Sequence, residues 1–175
     1  GVGITFVTHL TRIVDIETGF EKGYIMVALF AFFNAVGRLA AGWLSDRVGR
    51  DKAMTMVFGA MALALLYVLF VRSPAAMGLA ISVLGMTYGG LYSLFPAATV
   101  SYFGEEDFGL NFGLVFTGLA AAGIFPLIAG YLFEQRGDFV STFVLLLALS
   151  LVAVLLSFLS KTHTHRDLFD TIQVD

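Results

Sequence analysis

The sequence predicts an all-α integral membrane protein, a bundle of helices that cross the bilayer. Three observations carry this. Of 175 residues, 58% are hydrophobic and 13% charged, with a mean hydropathy of +0.89, against about 45–50% apolar and about 25% charged in soluble domains. Apolar runs at 24–44, 53–71, 75–97, 112–133 and 139–159 match the about 20 residues that a helix needs to span hydrocarbon. The last four of these runs contain no Lys, Arg, Asp or Glu. A soluble helical core does not require such charge-free runs in succession. A closed barrel needs short strands of alternating polarity, which these runs lack.

The elements follow in order. Residues 1–10 are too short to span and read as the end of a helix that starts earlier, with 11–22 as a polar connection. The first residue is Gly, not Met, and no cleavable signal peptide is visible, so the chain is expected to be a piece of a longer protein. Run 24–44 carries one charge, Arg38. Run 53–71 follows a charged hairpin at 45–52, and the short loops make successive helices antiparallel neighbours. Residues 1–160 are thus expected to form one membrane bundle and 161–175 a tail.

Charge sets the orientation. Arg47, Arg50 and Lys52 form the densest cationic cluster, and cation-rich loops stay cytoplasmic. Alternation then places 72–74 and 134–138 outside, and 98–111 and the tail inside. The full tally is nearly balanced: Arg47, Arg50, Lys52, Lys161 and Arg166 inside against Arg12, Lys22, Arg72 and Arg136 outside. The expected location is a cell (plasma or inner) membrane. The net charge of −3 points to no nucleic acid or other partner, and the absence of Cys excludes disulfides and thiolate metal sites.

Arg38 is the first candidate site residue. A cation in a span costs roughly 2.5–3.5 kcal/mol on insertion scales and so needs a partner, a cavity or an anionic ligand. Asn34 and Gly42 lie one turn to either side and share its face. The guanidinium fork grips a carboxylate at two points. Two other readings stand beside substrate contact: an ion pair with a residue elsewhere, or snorkelling to the cytoplasmic surface, since Leu44 is only about 9 Å of helix rise away.

The hairpin is the second. Gly49 suits the left-handed position of a tight turn, and Asp46 can cap or pair at a helix end. An ordinary topogenic loop would explain Arg47 and Arg50 but not the whole arrangement. Gly42, Asp46, Arg47, Gly49 and Arg50 resemble the signature loop of the major facilitator superfamily, G-x-x-x-D-R-x-G-R. One departure is that Asp51 stands where a further cation is usual, with Lys52 next. The resemblance implies that Asp46 and Arg47 latch helix ends on the cytoplasmic side, as a gate rather than as ligands.

Phe95-Pro96 through Phe103-Gly104, followed by Asn111-Phe112-Gly113-Leu114 and Phe116-Thr117, is similar to the tenth-to-eleventh helix region of the oxalate/formate antiporter and monocarboxylate transporter branch. Thr8-His9-Leu10 resembles a His-Leu pair at the outer end of helix seven there. The resemblance implies the C-terminal six-helix half of a major facilitator fold with its first helix truncated. It also implies that Arg38 occupies the position of a substrate-binding arginine. The oxalate exchangers add a lysine in helix eleven, whereas residues 117–123 here have none. One cation suits one carboxylate.

The expected function is therefore secondary active transport of a small organic anion, a monocarboxylate, by symport or antiport. Arg38 and Asn34 are the substrate-binding candidates; Gly42, Asp46, Arg47, Gly49 and Arg50 are the gate. The expected partners are the anion, the lipid bilayer and an N-terminal half of the same transporter, with no cofactor and no metal. No Asp or Glu lies in a span to carry a proton. A non-transporting sensor with this fold is the alternative. A membrane enzyme is not expected, since the spans lack His, Asp, Glu and Cys and the chain has neither H-E-x-x-H nor G-x-S-x-G. The remaining features read simply. Gly85 and Gly89 form a close-packing face. Gly118, Gly123 and Pro126 make a bendable helix in which packing outweighs hinging. Glu105-Glu106-Asp107 is a solvated loop tip, and His163 and His165 belong to a solvated tail.

Overall fold

A computed structural model describes residues 1–71 and 73–160. Arg72, the tail 161–175 and its histidines His163 and His165 lie outside the described residues. The described residues form seven helices joined by short turns, without strands: α1 (Val2–Thr18), α2 (Gly23–Val48), α3 (Arg50–Val68), α4 (Pro74–Phe103), α5 (Phe108–Ala122), α6 (Ile124–Arg136) and α7 (Val140–Ser160). Five helices are long and apolar enough to cross a membrane, with α5 and α6 together forming one of them. This is a multi-pass membrane bundle.

Polar residues do not end α1 where the hydropathy falls. Thr11, Arg12, Asp15 and Ile16 face outwards while Ile13 and Val14 are fully buried, so the helix runs on to Thr18 and stops at Gly19 in the left-handed conformation (φ 66°). The expected connection 11–22 is reduced to its last few residues. α4 starts on a Ser-Pro signal: the Ser73 hydroxyl accepts from Ala76 N (3.4 Å), and Pro74 takes the first turn, where its missing N–H costs nothing.

The run expected at 112–133 lies in one span that is broken within it into α5 and α6. Pro126 has no N–H for the carbonyl of Ala122. Gly123 N turns instead to Ala120 O (3.0 Å), a tightened turn that separates α5 from α6. His9 Nε2 bonds Pro126 O at 3.0 Å, tying α1 to the start of α6. Arg12 lies over the Phe133 ring (4.1 Å), and Phe139 N donates to Glu17 Oε1 (3.2 Å). One end of the bundle is thereby knotted around α1.

The main core joins Phe6, Leu10 and Ile13 of α1 to Leu65, Met77, Ile81, Leu84, Phe139 and Phe143. In lipid this packing gains van der Waals contact rather than removal of apolar surface from water. The outer surface is apolar too: Leu110, Leu114, Leu127, Leu151, Leu155 and Phe158 are all exposed, as suits helices facing hydrocarbon.

Candidate functional site

The site begins with glycines. α2 and α4 run parallel, two crossings apart, and meet backbone to backbone. A methyl group on Gly37 would lie 2.0 Å from Met86 O, one on Gly85 2.6 Å from Phe30 O, and one on Gly89 1.9 Å from Asn34 O. Only hydrogen fits at these points, so the glycine Cα–H groups face carbonyl oxygens across the seam. The close-packing face expected at Gly85 and Gly89 is thus occupied by α2.

The seam brings Arg38 to two tyrosines. Its guanidinium carbon lies 5.3 Å from the centre of the Tyr92 ring, a cation–π distance. The hydroxyls of Tyr92 and Tyr88, one turn apart on α4, hydrogen-bond to each other at 3.0 Å, with the rings edge-on. Pro96 has no N–H to offer the Tyr92 carbonyl one turn earlier. Arg38 is exposed, and among the described residues no carboxylate lies within ion-pair distance of it. Asn34 is half-buried one turn before it, with its carbonyl against Gly89. An unpaired guanidinium beside two hydroxyls can hold a carboxylate.

Tyr88 and Tyr92 also wall a cavity of about 440 Å³, which reaches Phe58, Phe95, Gly118 and Leu119. Apart from Ser150 the rest of its lining is apolar, and it carries no charged side chain. A carboxylate in that apolar bulk would be desolvated without compensation, whereas on the Arg38 side of the tyrosines it would meet a cation. A second cavity of about 400 Å³ shares Phe58, Phe95, Val115 and Ala153 with the first and extends to Asp51, Tyr102 and Ser157.

The expected gate residues gather at the junction of α2 and α3, which is sharper than an eight-residue hairpin. α2 continues to Val48 and α3 begins at Arg50, leaving Gly49 alone between them. Gly49 has φ 87° and ψ 154°. The positive φ favours glycine, but the residue lies in an extended region rather than the left-handed helical basin. Asp46, Arg47 and Arg50 are exposed, a methyl on Gly42 would meet nothing within 4 Å, and Arg47 folds back over the Trp43 ring (4.3 Å).

Three contacts in this region were not foreseen from sequence. The Tyr102 hydroxyl donates to Asp51 Oδ1, joining the start of α3 to the end of α4. Thr55 and Ser157 share a hydrogen bond (2.9 Å) between α3 and α7. Tyr88 and Tyr92 stand beside Arg38. Their one-turn spacing flanking Gly89 was the available signal.

A model of the Major Facilitator Superfamily matches residues 5–171. Over 103 residues the chain is 34% identical to the oxalate:formate antiporter of Oxalobacter formigenes, a match covering 58% of this chain and 25% of that protein. It is 31% identical over 137 residues to apicoplast pyruvate carrier 1 of Toxoplasma gondii, covering 71% and 24%. With apicoplast pyruvate carrier 2 of the same organism it shares 30% over 103 residues, covering 57% and 15%. The matches to the antiporter and to carrier 1 each span about a quarter of the relative's length.

Proposed function

This chain belongs to the Major Facilitator Superfamily, and on that premise we propose that it is the C-terminal half of a transporter for a small monocarboxylate. The two halves of such a protein rock about a site near the midplane, so an N-terminal half of the same transporter would complete the cavity. The observation that carries the reading is Arg38: a guanidinium on a span, unpaired among the described residues and set against the Tyr88–Tyr92 pair. The names of the relatives (oxalate, formate, pyruvate) are all carboxylates. The stretch 117–123, which contributes Gly118 and Leu119 to the cavity beyond the tyrosines, has no lysine to hold a second carboxylate. This favours one negative charge over two. Asn34 contributes to the same face, and the protein acts as a carrier, not an enzyme.

Asp46 and Arg47, with Gly42, Gly49 and Arg50, form the conformational gate at the cytoplasmic side. No acid lies within the apolar runs 24–44, 53–71, 75–97, 112–133 and 139–159, so the reading accommodates anion exchange, or symport with a proton carried elsewhere.

The test is uptake of radiolabelled formate, pyruvate and oxalate by the full-length protein in proteoliposomes. Arg38→Ala should abolish uptake of the preferred anion with insertion intact, since it removes a cation and adds none. Arg38→Lys should lower uptake about tenfold or more, the equivalent of about 1.4 kcal/mol, because ammonium keeps the charge and loses the two-point grip. Normal uptake by Arg38→Ala would overturn the assignment.

A further inference from the structure

We propose that Gly37 and Gly89 are positioning residues of the anion site: by letting α2 and α4 touch backbone to backbone, they fix the gap between Arg38 and the tyrosine pair and so the size of carboxylate accepted. The inference rests on the reading of Arg38 as the carboxylate's anchor. Each glycine is adjacent to what it would position. Arg38 directly follows Gly37 on α2, while Tyr88 precedes Gly89 and Tyr92 lies one turn after it on α4.

The geometry leaves no slack. A Cβ would stand 2.0 Å from Met86 O at Gly37 and 1.9 Å from Asn34 O at Gly89, where ordinary contact begins at 3.4 Å. The opposing atoms are backbone carbonyls inside helices, which have no rotamer to escape into. An alanine at either position therefore parts the helices locally by about an ångström or more, a distance worth up to about a hundredfold in a site that depends on alignment. Arg38 would leave with α2 and both tyrosines with α4. Asn34 is caught twice, as the residue whose carbonyl abuts Gly89 and as the polar side chain one turn before Arg38.

One contact on the same seam is adjustable. A methyl on Gly90 would meet the Ala41 methyl at 2.9 Å, and its next neighbour, Gly37 O, only at 3.5 Å. Gly90→Ala therefore presses on the seam through a side chain, and Ala41→Gly removes the obstruction. Gly59 supplies a control, since a methyl there meets nothing within 4 Å.

The experiment uses the full-length protein in proteoliposomes, with formate, acetate, pyruvate and phenylacetate as probes of rising size. Gly37→Ala and Gly89→Ala should raise KM for the smallest transported anion at least tenfold, leave the maximal rate within about threefold, and shift preference towards the larger anions. Gly90→Ala should do the same more mildly, and adding Ala41→Gly should restore both KM and size order. Gly59→Ala should change neither. Should the first two variants fail to insert, the Gly90→Ala pair carries the test alone. Folded seam variants with unchanged KM and size order would overturn the proposal, provided that Arg38→Ala abolishes uptake. If Arg38→Ala transports normally, the underlying site assignment is what fails.

Discussion

Arg38 is held by an aromatic ring rather than by an acid, and this leaves its hydrogen-bonding capacity open. A guanidinium over a ring keeps its edge N–H groups free, because the cation–π contact uses its face. In the Tyr88–Tyr92 pair one hydroxyl donates to the other, which leaves one further O–H donor beside the guanidinium. On the proposed reading, selectivity between one and two carboxylates turns on whether a second cation stands across the cavity. Leu119 lines that cavity together with both tyrosines, so Leu119→Lys should move preference from pyruvate towards oxalate by about tenfold, measured as the ratio of KM values in competitive uptake. An unchanged ratio in a folded variant would count against a dicarboxylate gap at this wall. Arg38 and Asn34 were legible in the sequence because they interrupt an apolar run. The tyrosines were not: a tyrosine in a span also reads as core or interface, and only the folded seam brings Tyr92 to Arg38.

At the scale of elements, the two acids near the α2–α3 junction, Asp51 and Asp46, differ in their surroundings. The Tyr102–Asp51 bond lies wholly within the described bundle, α4 to α3. Asp46 is exposed at the last turn of α2, where a partner from another half can reach it. Tyr102→Phe should therefore lower thermal stability by about 1 kcal/mol, the net worth of one partly exposed hydrogen bond, and leave the inward–outward balance alone. Asp46→Asn should do the reverse, shifting state populations read by cysteine accessibility while equilibrium binding survives. Loss of binding with unchanged populations would move Asp46 into the site. The ends of elements were the hardest feature to read from sequence. α1 outruns its apolar segment because Ile13 and Val14 keep a buried stripe going through polar neighbours. α5 and α6 part at Gly123 because Pro126 withholds a donor, which hydropathy does not register. Gly49 was legible as a turn, but not that it alone would separate two helices.

For the whole molecule, orientation rests on charge and alternation, and the fold changes where it should be probed. The parallel course of α2 and α4 follows from the single crossing, α3, between them, so the Gly49 turn and the 104–107 turn lie on one side of the membrane, and the Ser73 turn on the other. By cation bias, the side bearing Arg47, Arg50 and Lys52 is expected in the cytoplasm. Ser45, the obvious probe if the hairpin were open, is buried because α2 continues past it. Glu106 and Ser73 are exposed, and the chain contains no cysteine to compete. Ser73→Cys should react with an impermeant maleimide added to intact cells, and Glu106→Cys only after permeabilisation. The substitution at Glu106 removes an acid rather than a cation, so it leaves the topogenic cluster intact. Labelling of both from one side would break the alternation of α3 and α4. Labelling of Glu106→Cys alone from outside would invert the bundle and turn the proposed gate at Asp46 and Arg47 into an external one.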